Sequence, residues 1–528
     1  MNVAPQTRVT DSKAIIAIFR CLSELFSMSD VLTKPLSDMI FPVDSSALGW
    51  WLNLCVNTEK KDKSQRVART RYYMAELVNS WEQPINTGEI PLNRSMFDAI
   101  VVGGGPGGSS AAGYLAMAGK SVLLLEKGLW PRDKVCGDAV GGKSLGHVKA
   151  LGVKETLEKS PHFRVTGIKF SSPKGNTVRV ALPEEDVQRL EAGYSLPRKQ
   201  FDHLLFDKCQ QLVRENGGKV IQNCLVTGVL FDDGEGGEDP GNGSGNRRHA
   251  KGVTVKVGGR KGEERTYYST EIVGAAGYQC PVAKAVVRDS FDEVLVDNTH
   301  FCDGYREYWR NVKGCGDGVG DIEIHFVDSV VPGYFWMFPV SKDVVNVGIG
   351  MVVSLLQKEK KKLRLLQKDV IENHPLFKER FADAEMIRGS GRGWALPFGS
   401  PRKKAKHQPR RASMNGIRLV GDSASLVDPF SGEGVGNALV TGELAAKHII
   451  DGKSPEEYQT EMWKILGPEL TNSYRMQKLS RRKWLLNWFV GKASKKPEIQ
   501  EMMTEMIASK EAQENLHSPW FMFKTLMF

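Results

Sequence analysis

The chain has 528 residues, 41% of them hydrophobic and 25% charged, which is too long for one core and too evenly mixed for a disordered or fibrous protein. No apolar run approaches the roughly 18 to 20 residues that cross a bilayer, so the chain is not expected to span one. Eight cysteines without a CxxC pair or regular spacing point to free thiols in a reducing, intracellular setting and to no metal site, and a formal charge of +10 suits an anionic partner, although no nucleic-acid motif accompanies it.

Residues 1–95 read as an extension that serves packing or targeting and carries no assignable chemistry. Lys13 to Phe26 has amphipathic helical spacing, Ala47 to Val56 is apolar and Trp-rich, and Glu59 to Arg71 is a charge run leading into a further helix through Val78. Arg20 and Glu24 interrupt the first apolar stretch, which is not the layout of a secretory signal, and Asp11 and Glu24 count against an organellar transit peptide.

The stretch from Phe97 to Glu126 predicts a strand-helix-strand unit with its glycines in the first turn. Gly103 suits the tight turn, Gly105 lets backbone approach a pyrophosphate, and Gly108 lets helix and strand pack closely; Pro106 and Gly107 complete the turn. The helix start then offers free N–H groups and the positive end of its dipole to phosphate. Glu126, with Lys127 beside it, falls where a carboxylate accepts hydrogen bonds from a ribose. These coincidences together predict dinucleotide binding.

Beyond Glu126, Pro131 and the glycines Gly137, Gly141 and Gly142 predict an irregular loop entering a helix near Lys143. Alternation over Arg164 to Phe170 and Thr177 to Ala181 predicts paired strands, Lys199 to Glu215 a long amphipathic helix, and Lys219 to Phe231 one strand. Asp232 to Arg248 has loop composition, and Thr266 to Val273 resumes strand character. Ile322 to Val327, Tyr334 to Val340 and Val344 to Met351 predict a mostly antiparallel sheet suited to covering a cofactor, followed by a charged helix, Lys358 to Glu372. A basic loop, Pro401 to Arg411, reads as a solvated segment or as a contact for anionic lipid or diphosphate. The short strand Ile417 to Val420 delivers Asp422 to a turn whose Gly432, Gly434 and Gly436 allow close ligand approach before a helix near Asn437. The remainder is helical, with Trp484, Leu485, Trp488, Phe489 and Val490 on one stripe and Trp520, Phe521, Phe523, Leu526 and Phe528 at the end. That stripe fits core packing or a monotopic membrane helix.

Four signatures make the chain resemble the FAD-dependent geranylgeranyl reductase family, within the flavoproteins of p-hydroxybenzoate hydroxylase fold. They are the glycine turn with Glu126, the loop Pro131 to Asp138 (PRDKVCGD), Tyr334 to Pro339 (YFWMFP), and Gly421-Asp422 with Asp428-Pro429 and Gly432-Glu433-Gly434. The resemblance spans residues 97–450. It implies an α/β fold in which a Rossmann-like FAD-binding domain (97–290 and 385–450, with part of 160–195 in the substrate layer) is interleaved with a mostly antiparallel substrate-binding β domain (291–384). Helical extensions occupy 1–95 and 451–528.

The resemblance also implies residue roles. Arg198 would sit near the flavin, Asp422 would bind the FAD pyrophosphate and ribityl region with Gly432, Gly434 and Val435 beside it, and Cys136 would lie over the reactive face as the catalytic candidate. Tyr334, Trp336 and Phe338 would line a tunnel for an isoprenoid chain. For Cys136 a plain buried thiol, and for the aromatics plain core packing, stand as the alternatives. One departure is clear: relatives carry Ala-Asp-Gly where this chain has Ala275-Ala276-Gly277. The expected activity is reduction of polyprenyl double bonds, the polyprenyl group being carried on a lipid or a diphosphate. No second glycine turn of this kind occurs, so electrons would come from transient NADPH or a small electron-donor protein. The rivals are a monooxygenase or halogenase of the same fold and a non-catalytic FAD-binding scaffold docked peripherally on a membrane.

Overall fold

Strand Ala99–Val102 is completely flanked by apolar partners, and its four residues are buried at the centre of a six-stranded sheet. It pairs in parallel with Val122–Leu125 on one side and Ile272–Gly274 on the other. Lys219–Ile221 and Ile417–Leu419 extend the parallel run, and Ser413–Met414 closes it as an antiparallel edge. Strands buried on both faces need continuous apolar sequence, which is what the three central runs Ala99–Val102, Val122–Leu125 and Ile272–Gly274 have. Helices Pro106–Met117, Arg198–Glu215 and Val435–Ile450 pack around this sheet. The computed structural model describes residues 97–188, 193–232, 248–402, 410–497 and 499–500.

A ten-stranded sheet forms the second layer. Its centre is the antiparallel series Phe301–Arg310, Val344–Val352, Tyr334–Pro339 and Val319–His325, and Phe163–Ser171 joins parallel to the last of these. Ala139–Val140, which directly follows the PRDKVCGD loop, pairs with Tyr194–Ser195 and so ties that loop to the end of this sheet. A separate three-stranded meander is made by Cys224–Phe231, Ala250–Val257 and Glu263–Tyr268.

Three predicted elements are divided in the structure. The single strand expected over Lys219 to Phe231 is Lys219–Ile221 and Cys224–Phe231, which serve different sheets; Asn223 breaks them apart in the left-handed region at φ 52°. The strand expected over Thr266 to Val273 ends at Tyr268 and resumes at Ile272, the break held by Ser269 Oγ accepting from the Glu271 N–H at 3.1 Å. Lys358 to Glu372 is two helices, Val353–Lys358 and Leu363–Asn373, separated where Lys360 turns left-handed at φ 53°. Periodicity alone does not register a one-residue break whose neighbours keep the apolar pattern.

Inside the large sheet lies a buried polar cluster. Glu323 and His325 are each 2% exposed, and His325 lies 3.0 Å from Glu323 through Nε2 and 2.8 Å from Ser171 Oγ through Nδ1. This Ser-His-Glu row is structural: Ser171 is 1% exposed, and Arg380 donates to both Glu323 oxygens at 2.7 and 2.8 Å. Burial alone would raise the Glu323 carboxyl, but His325 and Arg380 hold it well below the usual carboxylate range. Glu323→Gln is therefore expected to cost about 1.5–3 kcal/mol in urea denaturation at neutral pH, because it removes the buried carboxylate that accepts both Arg380 bonds. The lowered folded pKa places this contribution above pH 4.5 and removes it as pH falls, so the gap between wild type and variant should close in acid.

Candidate functional site

The glycine turn leaves no room for side chains. Gly103 has φ 107°, and a Cβ on Gly108 would lie 1.7 Å from the Gly103 carbonyl oxygen. Gly105 precedes the first residue of helix Pro106–Met117, and Gly107 packs against Val420 and Ala438. The helix N-terminus and its free N–H groups are thus presented at the sheet's end, as a pyrophosphate requires. Glu126 is 2% exposed and accepts from the N–H groups of Gly104 and Gly128, both at 2.8 Å, which fixes its carboxylate at the turn. Lys127 is exposed. Ala275 and Ala276, where relatives carry the acid, lie against Gly103.

The second half of the site comes from the turn after Ile417–Leu419. Asp422, 9% exposed, accepts from Lys134 Nζ at 2.9 Å. Asp428 Oδ1 accepts from the N–H groups of Phe430 and Ser431 at 2.9 and 2.7 Å and shapes the segment leading to Gly434, which caps helix Val435–Ile450. Val435 is buried, and Gly432 lies beside Tyr334, whose hydroxyl donates to the Ser431 carbonyl.

Loop residues 131–138 connect these parts. Arg132 pairs with Glu126 at 3.5 Å, Lys134 with Asp422, and Asp133 accepts from Arg306 Nη2 at 2.8 and 2.9 Å. Cys136, half-buried, lies near enough to Arg198 to help keep its guanidinium charged. Arg198 itself is 2% exposed and donates to Asp202 at 2.6 and 2.8 Å. Tyr334, Trp336 and Phe338 alternate along one strand and share a face, with ring centroids 6.0 and 6.5 Å apart. Phe338 packs over Gly137, and Trp336 lies over Gly348, its registered partner.

Three further residues join the loop to that aromatic face. Asn346 donates through Nδ2 to the Cys136 carbonyl and to Asp138 Oδ2, both at 2.7 Å, and accepts from Trp336 Nε1 at 2.9 Å. Asp138, fully buried and left-handed at φ 71°, also accepts from Tyr308 O–H at 2.5 Å and from the Arg198 N–H at 3.1 Å. Burial pushes the Asp138 carboxyl up to about 6 against the opposing hydrogen bonds of Tyr308 and Asn346. Of the three, Asp138 was named from sequence only as the end of the PRDKVCGD signature, with no role, and Tyr308 and Asn346 were not singled out. The available signal was Asn346, a lone polar residue in the apolar run Val344–Val352.

The remaining expectations separate. Arg402 and Arg410 of the basic loop are buried, not solvated, while Lys403, Lys404 and Lys406 lie outside the described residues. Trp484 is 64% exposed, whereas Val490 is buried against Val178 as core packing requires. Residues 1–95 and the aromatic cluster Trp520 to Phe528 lie outside the described residues. Among the described residues no helix is long and apolar enough to cross a membrane, and no group of three side chains could hold a metal.

Comparison with known proteins covers both layers. Residues 96–216 match the FAD binding domain family, and residues 304–389 match the geranylgeranyl reductase catalytic domain family. Digeranylgeranylglycerophospholipid reductase 1 of Methanococcoides burtonii is 30% identical over 391 residues, covering 72% of this chain and 83% of that protein. A menaquinone reductase of Mycolicibacterium smegmatis is 26% identical, covering 67% of this chain and 76% of its own. The crystal structure of a geranylgeranyl bacteriochlorophyll reductase-like protein from Thermoplasma acidophilum superposes with a TM-score of 0.61 at 20% identity, covering 80% of this chain and 98% of that one.

Proposed function

This chain belongs to the geranylgeranyl reductase family of FAD-dependent oxidoreductases, and from that premise we propose that it saturates carbon–carbon double bonds in a polyprenyl chain. The observation that carries the reading is Asn346, which joins the Cys136 loop to the Trp336 face in one hydrogen-bonded unit between an FAD-type turn and an apolar strand. FAD, when bound and reduced, supplies hydride to one alkene carbon.

The protein's residues fit that cofactor. The turn from Gly103 to Gly108 and the following helix would hold the pyrophosphate, Glu126 the ribose, and Asp422, oriented by Lys134, the ribityl region with Gly432, Gly434 and Val435 alongside. An isolated alkene accepts hydride poorly, so the site must exclude water and present a proton. Tyr334, Trp336 and Phe338 supply the apolar wall. Cys136 Sγ–H is the half-buried protic group we assign to the reacting face, with Arg198 and Asn346 holding its loop. We further propose NADPH or a small redox protein as electron source, and a peripheral lipid contact through exposed Trp484 and the basic residues Arg481, Arg482 and Lys483 beside it.

The test is single-turnover. Anaerobically reduced protein mixed with geranylgeranyl diphosphate should reoxidise its flavin and yield product heavier by about two mass units per bond saturated. Flavin that reoxidises only with oxygen would point to monooxygenase or halogenase chemistry, and protein that binds FAD yet turns over nothing would favour the scaffold reading.

A further inference from the structure

Arg402 and Arg410 are 6% and 4% exposed, yet neither guanidinium forms an ion pair with any described residue. Arg402 Nη1 reaches the Val294 carbonyl at 3.5 Å, the outer limit of a hydrogen bond. Arg402 Nη2, Arg410 Nε and the Nε of Arg411 are buried with no partner among the described residues. The carboxylates facing the pair are Glu293 and Asp297, which oppose its burial only at longer range. Burial, and then the neighbouring Arg402 charge, push Arg410 down to about 9. Lys478 adds positive charge, its Nζ 4.0 Å over the Tyr474 ring, which is 5.5 Å from His300. His300, its Nδ1 2.5 Å from Ser400 Oγ, is pushed down to about 4 by burial and then by Arg402, so it stands here as a neutral hydrogen-bonding group.

A buried charge without a counter-ion is among the costliest features a folded chain can carry. Among the described residues Glu293 and Asp297 offset these two charges only without direct contact, which leaves the guanidinium N–H groups open to an anion from outside the chain. We propose that Arg402 and Arg410, flanked by Arg411, His300 and Lys478, form a binding site for a phosphate or diphosphate group. Guanidinium forks match tetrahedral oxyanions bidentately, and two forks match a divalent one. The surrounding surface suits an amphiphile, because Val294 and Val296, on the segment that offers Arg402 its acceptor, are 66% and 49% exposed. The cluster is also coupled to the flavin loop: Gly399 N–H donates to the Val427 carbonyl at 2.8 Å, and Gln477 Nε2 donates to the Pro429 carbonyl at 2.6 Å. Assigning the anion to the head of the polyprenyl substrate rests on the reductase reading; the anion site itself does not.

The test uses the full chain loaded with FAD and titrated with inorganic diphosphate at constant ionic strength. A saturable rise in melting temperature is expected for wild type and for the exposed control Arg265→Gln. Arg410→Met and Arg402→Met should abolish that rise, and without ligand they should melt no lower than wild type, since each removes an uncompensated buried charge. No saturable rise in wild type, or its survival in Arg410→Met, overturns the proposal. So does a lower ligand-free melting temperature in both variants, which would make the arginines structural. The source of the anion is then read kinetically. A fall of about tenfold in the kcat/KM ratio of geranylgeranyl diphosphate to geranylgeraniol in Arg402→Met assigns it to the substrate head. A raised KM for NADPH assigns it to the reductant, and no change in either assigns it to free phosphate. If neither polyprenyl compound is reduced, the reductase reading fails while the melting curves still decide the site.

Discussion

Asp138→Ala is expected to lose at least about 100-fold in kcat for polyprenyl reduction while FAD binding changes little, because the alanine removes the shared acceptor of three buried donors. The Arg198 N–H, the Tyr308 hydroxyl and Asn346 Nδ2 all converge on this carboxyl. Without it Asn346 loses its anchor, and with it the contacts to the Cys136 carbonyl and Trp336 Nε1. The left-handed backbone at φ 71°, tolerable for Asp and unfavourable for Ala, adds to the loss. Flavin absorbance after gel filtration and steady-state kinetics separate the two effects; equal loss of flavin and activity would make Asp138 a general fold residue.

Asp138→Asn isolates the charge. Burial raises the Asp138 carboxyl from 3.8 to about 6, so the folded state favours the protonated form. Stability linked to that proton is fully present below about pH 3.8 and is lost as pH rises through about 6. By neutral pH the loss amounts to about 3 kcal/mol, and the asparagine variant does not share it. Wild-type stability minus variant stability should therefore fall across this window in paired urea titrations. A flat difference would mean that Asp138 is ionised throughout.

Asp202→Asn carries the other large effect, an expected loss of about 3–5 kcal/mol. Arg198 and Asp202 stand one helical turn apart, with side chains 3% and 1% exposed, in a bidentate pair. Burial by itself would lower the Arg198 pKa, but Asp202 and then the Cys136 thiol raise it well above the ordinary value, so the guanidinium stays charged inside the protein. Removing the carboxylate leaves that charge uncompensated and frees the guanidinium that lies near Cys136. Chemical denaturation should show the stability loss, and iodoacetamide should alkylate Cys136 faster than in wild type. The double replacement Arg198→Met with Asp202→Leu should cost less than Asp202→Asn alone, because it removes both charges together. A double variant weaker than the single one would count against this account.

The elements legible in the sequence were those whose signals are local. Gly103, Gly108 and Glu126 lie within one strand-turn-helix-strand unit, and the steric needs of that turn are written in consecutive residues. The alternating aromatics of Tyr334–Pro339 likewise declare a strand face by their spacing. For Asp138, the end of a signature loop, and Asn346, a lone polar residue in an apolar strand, the sequence marked the position but not the partner. Asp138 meets Tyr308 across 170 residues and Asn346 across 208, and each side chain taken alone is an ordinary polar residue in a loop or strand. In the basic loop the solvated reading fails at Arg402 and Arg410, because a run of Lys and Arg does not show which of its members packing will bury.

The amino-acid order by itself therefore determined the dinucleotide turn, the strand that leads into it, the glycine-rich second turn at Asp422 and the motifs that mark the family. Each of these depends on backbone geometry within a few residues. Only the tertiary structure decided that loop 131–138 would be gripped by Glu126, Arg306, Asp422 and Asn346 at once. The i,i+4 spacing already set Arg198 against Asp202 on one helix face, but only the tertiary structure buried that pair and brought it to the Cys136 loop, because burial and long-range contacts arise when sheets and helices close on one another.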